Sequence, residues 1–187
     1  MRIIAGTHRG RTILPPVAET TRPITDRVKQ SLFDIVFDRI DGAMVYDLFA
    51  GTGSMGLESA SRGARGVVFV ESDPSAVEVL RRNLKNFGFT TGIRVVAKDV
   101  FAWVGGATAV EAANRADLVF LDPPYRMIGE NPATLLACAA GLAQRHLAPD
   151  GIVVFRHQRA DSLALAPLVV YDERHYGAMT LTFLKKP

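Results

Sequence analysis

A single cysteine, Cys138, occurs in the 187 residues, so no disulfide can form within the chain and a reducing, cytoplasmic setting is expected. It falls inside the apolar stretch TLLACAAGLA, where a small thiol is expected to pack as core. No apolar run approaches the ~18 residues that a membrane-spanning helix requires. The opening MRIIAGTHRG lacks the apolar centre of a secretory signal. The four histidines, His8, His146, His157 and His175, are scattered without ligand spacing and without a cysteine cluster, so no metal is expected. There is no internal repeat and no low-complexity tract.

What is present suits one domain. With 48% hydrophobic residues the chain can bury a sizeable core, and two full domains would strain its length. The net charge of +3 is unevenly spread: residues 1 to 30 carry +4, leaving −1 for the other 157. A basic start on a nearly neutral body suits a polyanionic partner met by one end of the molecule. The plainer reading is a solvated surface that happens to be basic.

MRIIAG and RTIL flank the turn-prone THRG and read as a hairpin with Arg9 and Arg11 at its tip. From Thr25, the spacing of Val28, Leu32, Ile35, Val36 and Ile40 predicts a helix ended by Asp41-Gly42. Strands and helices then alternate. MVYDLFA, GVVFVE, IRVVAKD, ADLVFLD and GIVVFRH read as apolar strands, with helices over Ser54 to Arg62, Pro74 to Phe87 and ATLLACAAGLAQRHL. Such alternation means an α/β fold with a parallel sheet covered on both faces. The tail, LVVYDERHYGAMTLTFL, reads as two strands around a Tyr-Gly turn that close the sheet antiparallel.

Ligands bind such sheets outside the carboxyl ends of the strands, and four of those ends carry more than packing residues. DLFAGTGSMG places Gly51, Gly53 and Gly56 in a G-x-G-x-x-G spacing: two glycines for close backbone approach to a ligand, the third for tight helix packing. Glu71 follows 20 residues after Gly51, where a carboxylate can accept the hydroxyls of a ribose. These two features alone fit a dinucleotide-binding oxidoreductase equally well. Asp122-Pro123-Pro124-Tyr125 is different. A Pro-Pro pair after a buried strand makes a rigid loop, with carbonyls expected to stay out of helix hydrogen bonding. There the Asp122 carboxylate and Pro123 carbonyl can accept the two protons of an exocyclic amine, with Tyr125 stacked on the base. Asp99 can accept from an adenine amine or cap the helix that follows it.

With these blocks, RPITDRVKQSLFDIV and the closing RHYG, the sequence resembles the class I, S-adenosylmethionine-dependent methyltransferases. Within them it resembles the RsmD family of bacterial 16S ribosomal RNA guanine-N2 methyltransferases. The resemblance implies a Rossmann-like, mostly parallel seven-stranded sheet with helices on both faces. It divides the chain into a small N-terminal hairpin extension for RNA contact (1–20) and a methyltransferase domain (21–187). It places Asp47, Gly51 and Gly53 around the methionine part of S-adenosylmethionine, Glu71 at the ribose and Asp99 at the adenine. Asp122, Pro123, Pro124 and Tyr125 fall at the target guanine. It also implies a monomer acting on 16S rRNA, in an assembling small subunit, with Arg9, Arg11, Arg22 and Arg27 as expected RNA contacts. Two positions depart from the family pattern: Arg156 stands where a glutamate is usual, and Met179 precedes Thr180 where the threonine is expected. The expected chemistry is direct methyl transfer, with Asp122 orienting the amine. The competing readings are a DNA adenine methyltransferase, an NAD-dependent oxidoreductase and a non-catalytic RNA-binding protein.

Overall fold

The computed structural model describes residues 1–16, 24–106, 110–161 and 163–187. Its strands are β1 (Met44–Leu48), β2 (Gly66–Glu71), β3 (Ile93–Ala97), β4 (Ala116–Leu121), β5 (Leu147–Gln158), β6 (Val169–Tyr176) and β7 (Met179–Lys185). They form one seven-stranded sheet in the order β3-β2-β1-β4-β5-β7-β6. The first five are parallel, and β7 lies antiparallel between β5 and β6. The α-helices are α1 (Asp26–Ile35), α2 (Ser54–Ser61), α3 (Pro74–Phe87), α4 (Val100–Gly105), α5 (Tyr125–Glu130) and α6 (Pro132–Gly141).

Side chains alternate across the strands, and each face of the sheet buries its own apolar cluster. Phe69, Phe120, Val154 and Phe183 face one side with Phe33 of α1 and Leu80 of α3. Val68, Leu121 and Phe155 face the other with Val104 of α4 and Ala139 of α6. Burial on both faces explains why β2 and β4 read as unbroken apolar runs. Local signals set the ends of α3. Asp73 accepts the N–H groups of Ser75 and Ala76, Pro74 occupies the first turn, and Gly88 takes φ 74° after the last.

Several expected boundaries move. The helix from Thr25 ends at Ile35 and gives way to a 3₁₀ turn over Phe37–Arg39. Leu32, Val36 and Ile40 fill the sheet face, while Ile35 and Phe37 remain exposed because they lie outside that stripe. The helix expected to run on to Leu147 stops at Gly141 and continues as one wide π turn, Leu142–His146. The Pro-Pro loop is also shorter than expected. The Pro124 carbonyl accepts the Met127 N–H at 2.8 Å, so it is drawn into the start of α5.

The N-terminal hairpin is reduced to a single bridge, Arg2 to Thr12, with Ile3 N–H donating to the Arg11 carbonyl at 2.9 Å. Ile3 and Ile13 are buried in the same cluster as Phe33 and Phe69, so this segment shares the main core. It lies along α2, where Glu58 accepts the Ile4 and Ala5 N–H groups. At Gly6, with φ 82°, a Cβ would stand 1.8 Å from the Ser61 carbonyl oxygen, so only glycine fits there.

Candidate active site

β1 and β4 are neighbours, yet the chain leaves β1 toward β2 and leaves β4 toward β5, so the connections diverge between them at their carboxyl ends, where open α/β sheets form their ligand crevice. Register brings those ends level: Leu48 pairs with Val70 on one side and with Leu121 on the other. Asp47, Glu71 and Asp122 therefore sit at one edge of the sheet.

β1 ends at Leu48, two residues earlier than expected, because Phe49 turns into the left-handed region with φ 60°. That conformation costs a non-glycine residue about 1 to 2 kcal/mol. Its ring meets Phe101 of α4 edge-on, with centroids 5.6 Å apart. The sequence gives no sign of this turn, since an aromatic after an apolar run reads as more strand. The glycines then divide their tasks. A Cβ at Gly51 would meet nothing within 4 Å, which leaves the backbone open to a ligand. At Gly53 it would stand 2.4 Å from Leu80 Cδ1 of α3 and at Gly56 2.2 Å from Phe69 Cε1 of β2, so the first packs the loop against a neighbouring helix and the second packs α2 against the sheet.

Asp47 lies beneath this loop, 2% exposed, its Oδ2 accepting the Gly56 N–H at 2.8 Å. Burial pushes its carboxyl up to about 8; the Gly56 hydrogen bond opposes this, and the Asp122 and Glu71 charges add to it. Glu71 is engaged by the backbone. Its Oε2 accepts the Gly51 N–H and its Oε1 those of Ser72 and Asp73, all at 2.8 Å. It thereby ties the glycine loop to the end of β2. Asp99 caps α4, its Oδ1 accepting the Ala102 N–H at 2.8 Å.

At the end of β4, the Asp122 Oδ1 accepts a 2.6 Å hydrogen bond from Arg156 Nε. Burial pushes the Asp122 carboxyl up, and the Arg156 guanidinium opposes that shift. Pro123 is buried, Pro124 caps α5, and Tyr125 begins that helix with Arg156 against its ring.

The basic residues are not gathered in one place. α1, α2 and α3 all run antiparallel to the parallel strands, starting at the crevice edge of the sheet. Arg27, exposed in the first turn of α1, therefore lies at that edge. The turn bearing Arg9 and Arg11 reaches the other end. Its neighbours are Ser61, the last residue of α2, and Asn86 and Phe87 at the end of α3. Arg9 is exposed there, whereas Arg11 donates to the Asn86 carbonyl and lies 4.8 Å over the Phe87 ring. Arg22 lies outside the described residues. Among the described residues, no group of three or more His, Cys, Asp or Glu is placed to hold a metal ion. No helix among them is long and apolar enough to cross a membrane.

A sheet of this order, with a glycine loop after β1, an acid ending β2 and Asp-Pro-Pro-Tyr after β4, is the class I methyltransferase fold. Solved structures agree. A provisionally described methyltransferase, yhhF of Escherichia coli, matches with a TM-score of 0.83 and 27% identity, covering 100% of this chain and 98% of that one. A hypothetical protein of Thermus thermophilus matches with a TM-score of 0.78 and 32% identity, covering 99% of each.

The chain belongs to the RsmD family, whose model, described as conserved hypothetical protein 95, matches residues 1–185. YlbH of Bacillus subtilis (strain 168), provisionally named an rRNA methyltransferase, is 34% identical over 188 residues, covering 100% of this chain and 99% of that protein. The Escherichia coli (strain K12) ribosomal RNA small subunit methyltransferase D is 35% identical over 126 residues, which cover 67% of this chain and 61% of that protein.

Proposed function

We propose that this protein transfers a methyl group from S-adenosylmethionine to the exocyclic N2 of a guanine in 16S ribosomal RNA, in the cytoplasm. The observation that carries this reading is the placement of Asp122 and Tyr125 at the end of β4, beside the open glycine loop of β1. The small-subunit rRNA methyltransferase name of the Escherichia coli relative supports the substrate.

The residues present fit the methyl donor. A buried carboxyl as hard to ionise as Asp47 is a place where a cationic group, such as an amino acid ammonium, supplies the missing counter-charge. The space where a Gly51 side chain would stand is empty, and Glu71 at the end of β2 and Asp99, the cap of α4 just beyond β3, keep carboxylate lone pairs for the ribose and the adenine. When bound, S-adenosylmethionine supplies a methyl group already activated by its sulfonium.

The chain's own task is alignment. The Asp122 carboxylate and the Pro123 carbonyl accept the two amine protons and turn the nitrogen lone pair toward the methyl carbon. Methylation makes the remaining amine proton acidic enough to pass to water, so Asp122 would orient the amine without acting as a strong base. Tyr125 stacks on the base, which must be turned out of its surroundings to arrive.

Calorimetry with S-adenosylmethionine and with NADH, followed by transfer of labelled methyl to ribosomal RNA, tests the reading. Binding of the first and labelling of the RNA are expected. Tight NADH binding without a response to S-adenosylmethionine would replace it with an oxidoreductase.

A further inference from the structure

Asp122 and Arg156 are brought together by sheet register. Leu121 pairs with Phe155 across the parallel β4–β5 ladder, so the next residues of the two strands project to the same face. Around them stand apolar side chains from five elements: Leu32 of α1, Met55 of α2, Phe120 of β4, Val154 of β5 and Leu181 of β7. These line a small, partly open hollow of about 10 Å³, no larger than roughly one water molecule. The side chains of Arg156 and Asp122 are only 11% and 22% exposed, so bulk water screens their 2.6 Å contact poorly. Among the described residues the Asp47 carboxyl of β1 also acts on Asp122, as a like charge, and Arg156 is the cation that opposes the effect of burial there. Arg156 also lies with its Cζ 5.7 Å from the Tyr125 ring centroid, within cation–π range. One guanidinium thus touches both residues assigned to the target base.

We propose that Arg156 is the positioning residue of the site, aiming Asp122 and holding it as a charged acceptor for the amine protons while its planar face steadies Tyr125. This rests on the methyltransferase reading of the same site. Without Arg156, Asp122 would be a carboxylate in an apolar slot beside a second acid. Such a group takes up a proton instead of remaining charged. A protonated Asp122 offers one hydroxyl donor where the amine needs an acceptor. Arginine suits the task better than lysine, because its Nε can bond the carboxylate while the plane of the group stays against the ring.

Wild type, Arg156→Gln and Arg156→Lys are compared in two measurements. The first follows the Asp122 side-chain carboxyl by carbon-13 NMR against pH, its signal assigned by its loss in Asp122→Asn. Removing an opposite charge at this distance should raise the Asp122 midpoint by about 1 to 3 pH units in Arg156→Gln. Arg156→Lys, which keeps the charge and spares the fold, should stay nearer wild type. The second measures the rate of methyl transfer to ribosomal RNA against pH. Its acidic limb should move upward with the midpoint in Arg156→Gln and recover in Arg156→Lys. An unmoved midpoint, or a limb that ignores a moved midpoint, overturns the proposal. Failure of wild type to methylate RNA at any pH defeats the methyltransferase reading instead, and leaves the carboxyl titration to decide whether Arg156 governs Asp122.

Discussion

Lys29 Nζ and Glu58 Oε2 stand 3.1 Å apart, with both side chains withdrawn wholly from solvent. Glu58 also accepts from Arg62 Nε at 2.8 Å and from the backbone of Ile4 and Ala5, while Lys29 donates to the Arg2 carbonyl. α1, α2 and the N-terminal segment therefore meet at one buried carboxylate. Removing one partner of a buried pair leaves an uncompensated charge and costs about 3 to 5 kcal/mol. Glu58→Ala should lower stability by that order in urea unfolding. A loss below about 1 kcal/mol would mean that buried Ile3 and Ile13 and the bonds to Ser61, Asn83 and Asn86 hold the segment without the carboxylate.

Asp47 binds its proton more tightly in the folded chain than in the unfolded one. Its contribution to stability is therefore present below about pH 4 and is lost as pH rises through about 8. Asp47→Asn keeps an acceptor for the Gly56 N–H and removes the titration. The melting temperature of wild type should fall relative to that of Asp47→Asn across this window. Parallel curves would contradict the burial of an ionisable group there.

Asp122→Ala and Tyr125→Ala should slow methyl transfer while leaving S-adenosylmethionine affinity nearly unchanged in calorimetry, since both residues are assigned to the target base. For Tyr125, losing a stacking contribution of ~1 to 3 kcal/mol corresponds to roughly tenfold to somewhat over a hundredfold. Full activity in Tyr125→Ala would remove the stacking role.

The far placement of the Gly6–Gly10 turn changes what its arginines can do. Arg27 lies at the crevice edge, whereas Arg9 sits about 20 Å away, the length of α3 at ~1.5 Å per residue. With a short RNA oligonucleotide, Arg27→Ala should weaken binding and flatten the salt dependence by about 0.7 in log affinity per log salt. Arg9→Ala should do so only on a substrate long enough to reach round the molecule. Equal effects of both on the short RNA would place the RNA elsewhere.

Much of this architecture was legible because buried parallel strands read as apolar runs and because glycines, prolines and caps mark their ends locally. The bounds of β2 and α3 and the strand pair around Tyr176-Gly177 follow from such signals. What escaped depends on distant partners. Lys29 is one of the charges that make residues 1 to 30 basic, and nothing local shows that Glu58, 29 residues away, pairs with it in the core. The Asp122–Arg156 contact needs the β4–β5 register, which no local pattern states. Phe49 gives no sign of its left-handed backbone, and Ile35 keeps helical spacing although its neighbours already fill the sheet face.

The most direct test of a guanine-amine methyl-transfer site at the ends of β1, β2 and β4 is the identity of the product. Purified protein, methyl-labelled S-adenosylmethionine and 16S ribosomal RNA from cells lacking the enzyme would be incubated together, and the RNA digested to nucleosides. Label in N2-methylguanosine at a single position, abolished in Asp122→Ala, is the expected result. Label in N6-methyladenosine, or undiminished label with Asp122→Ala, would contradict it.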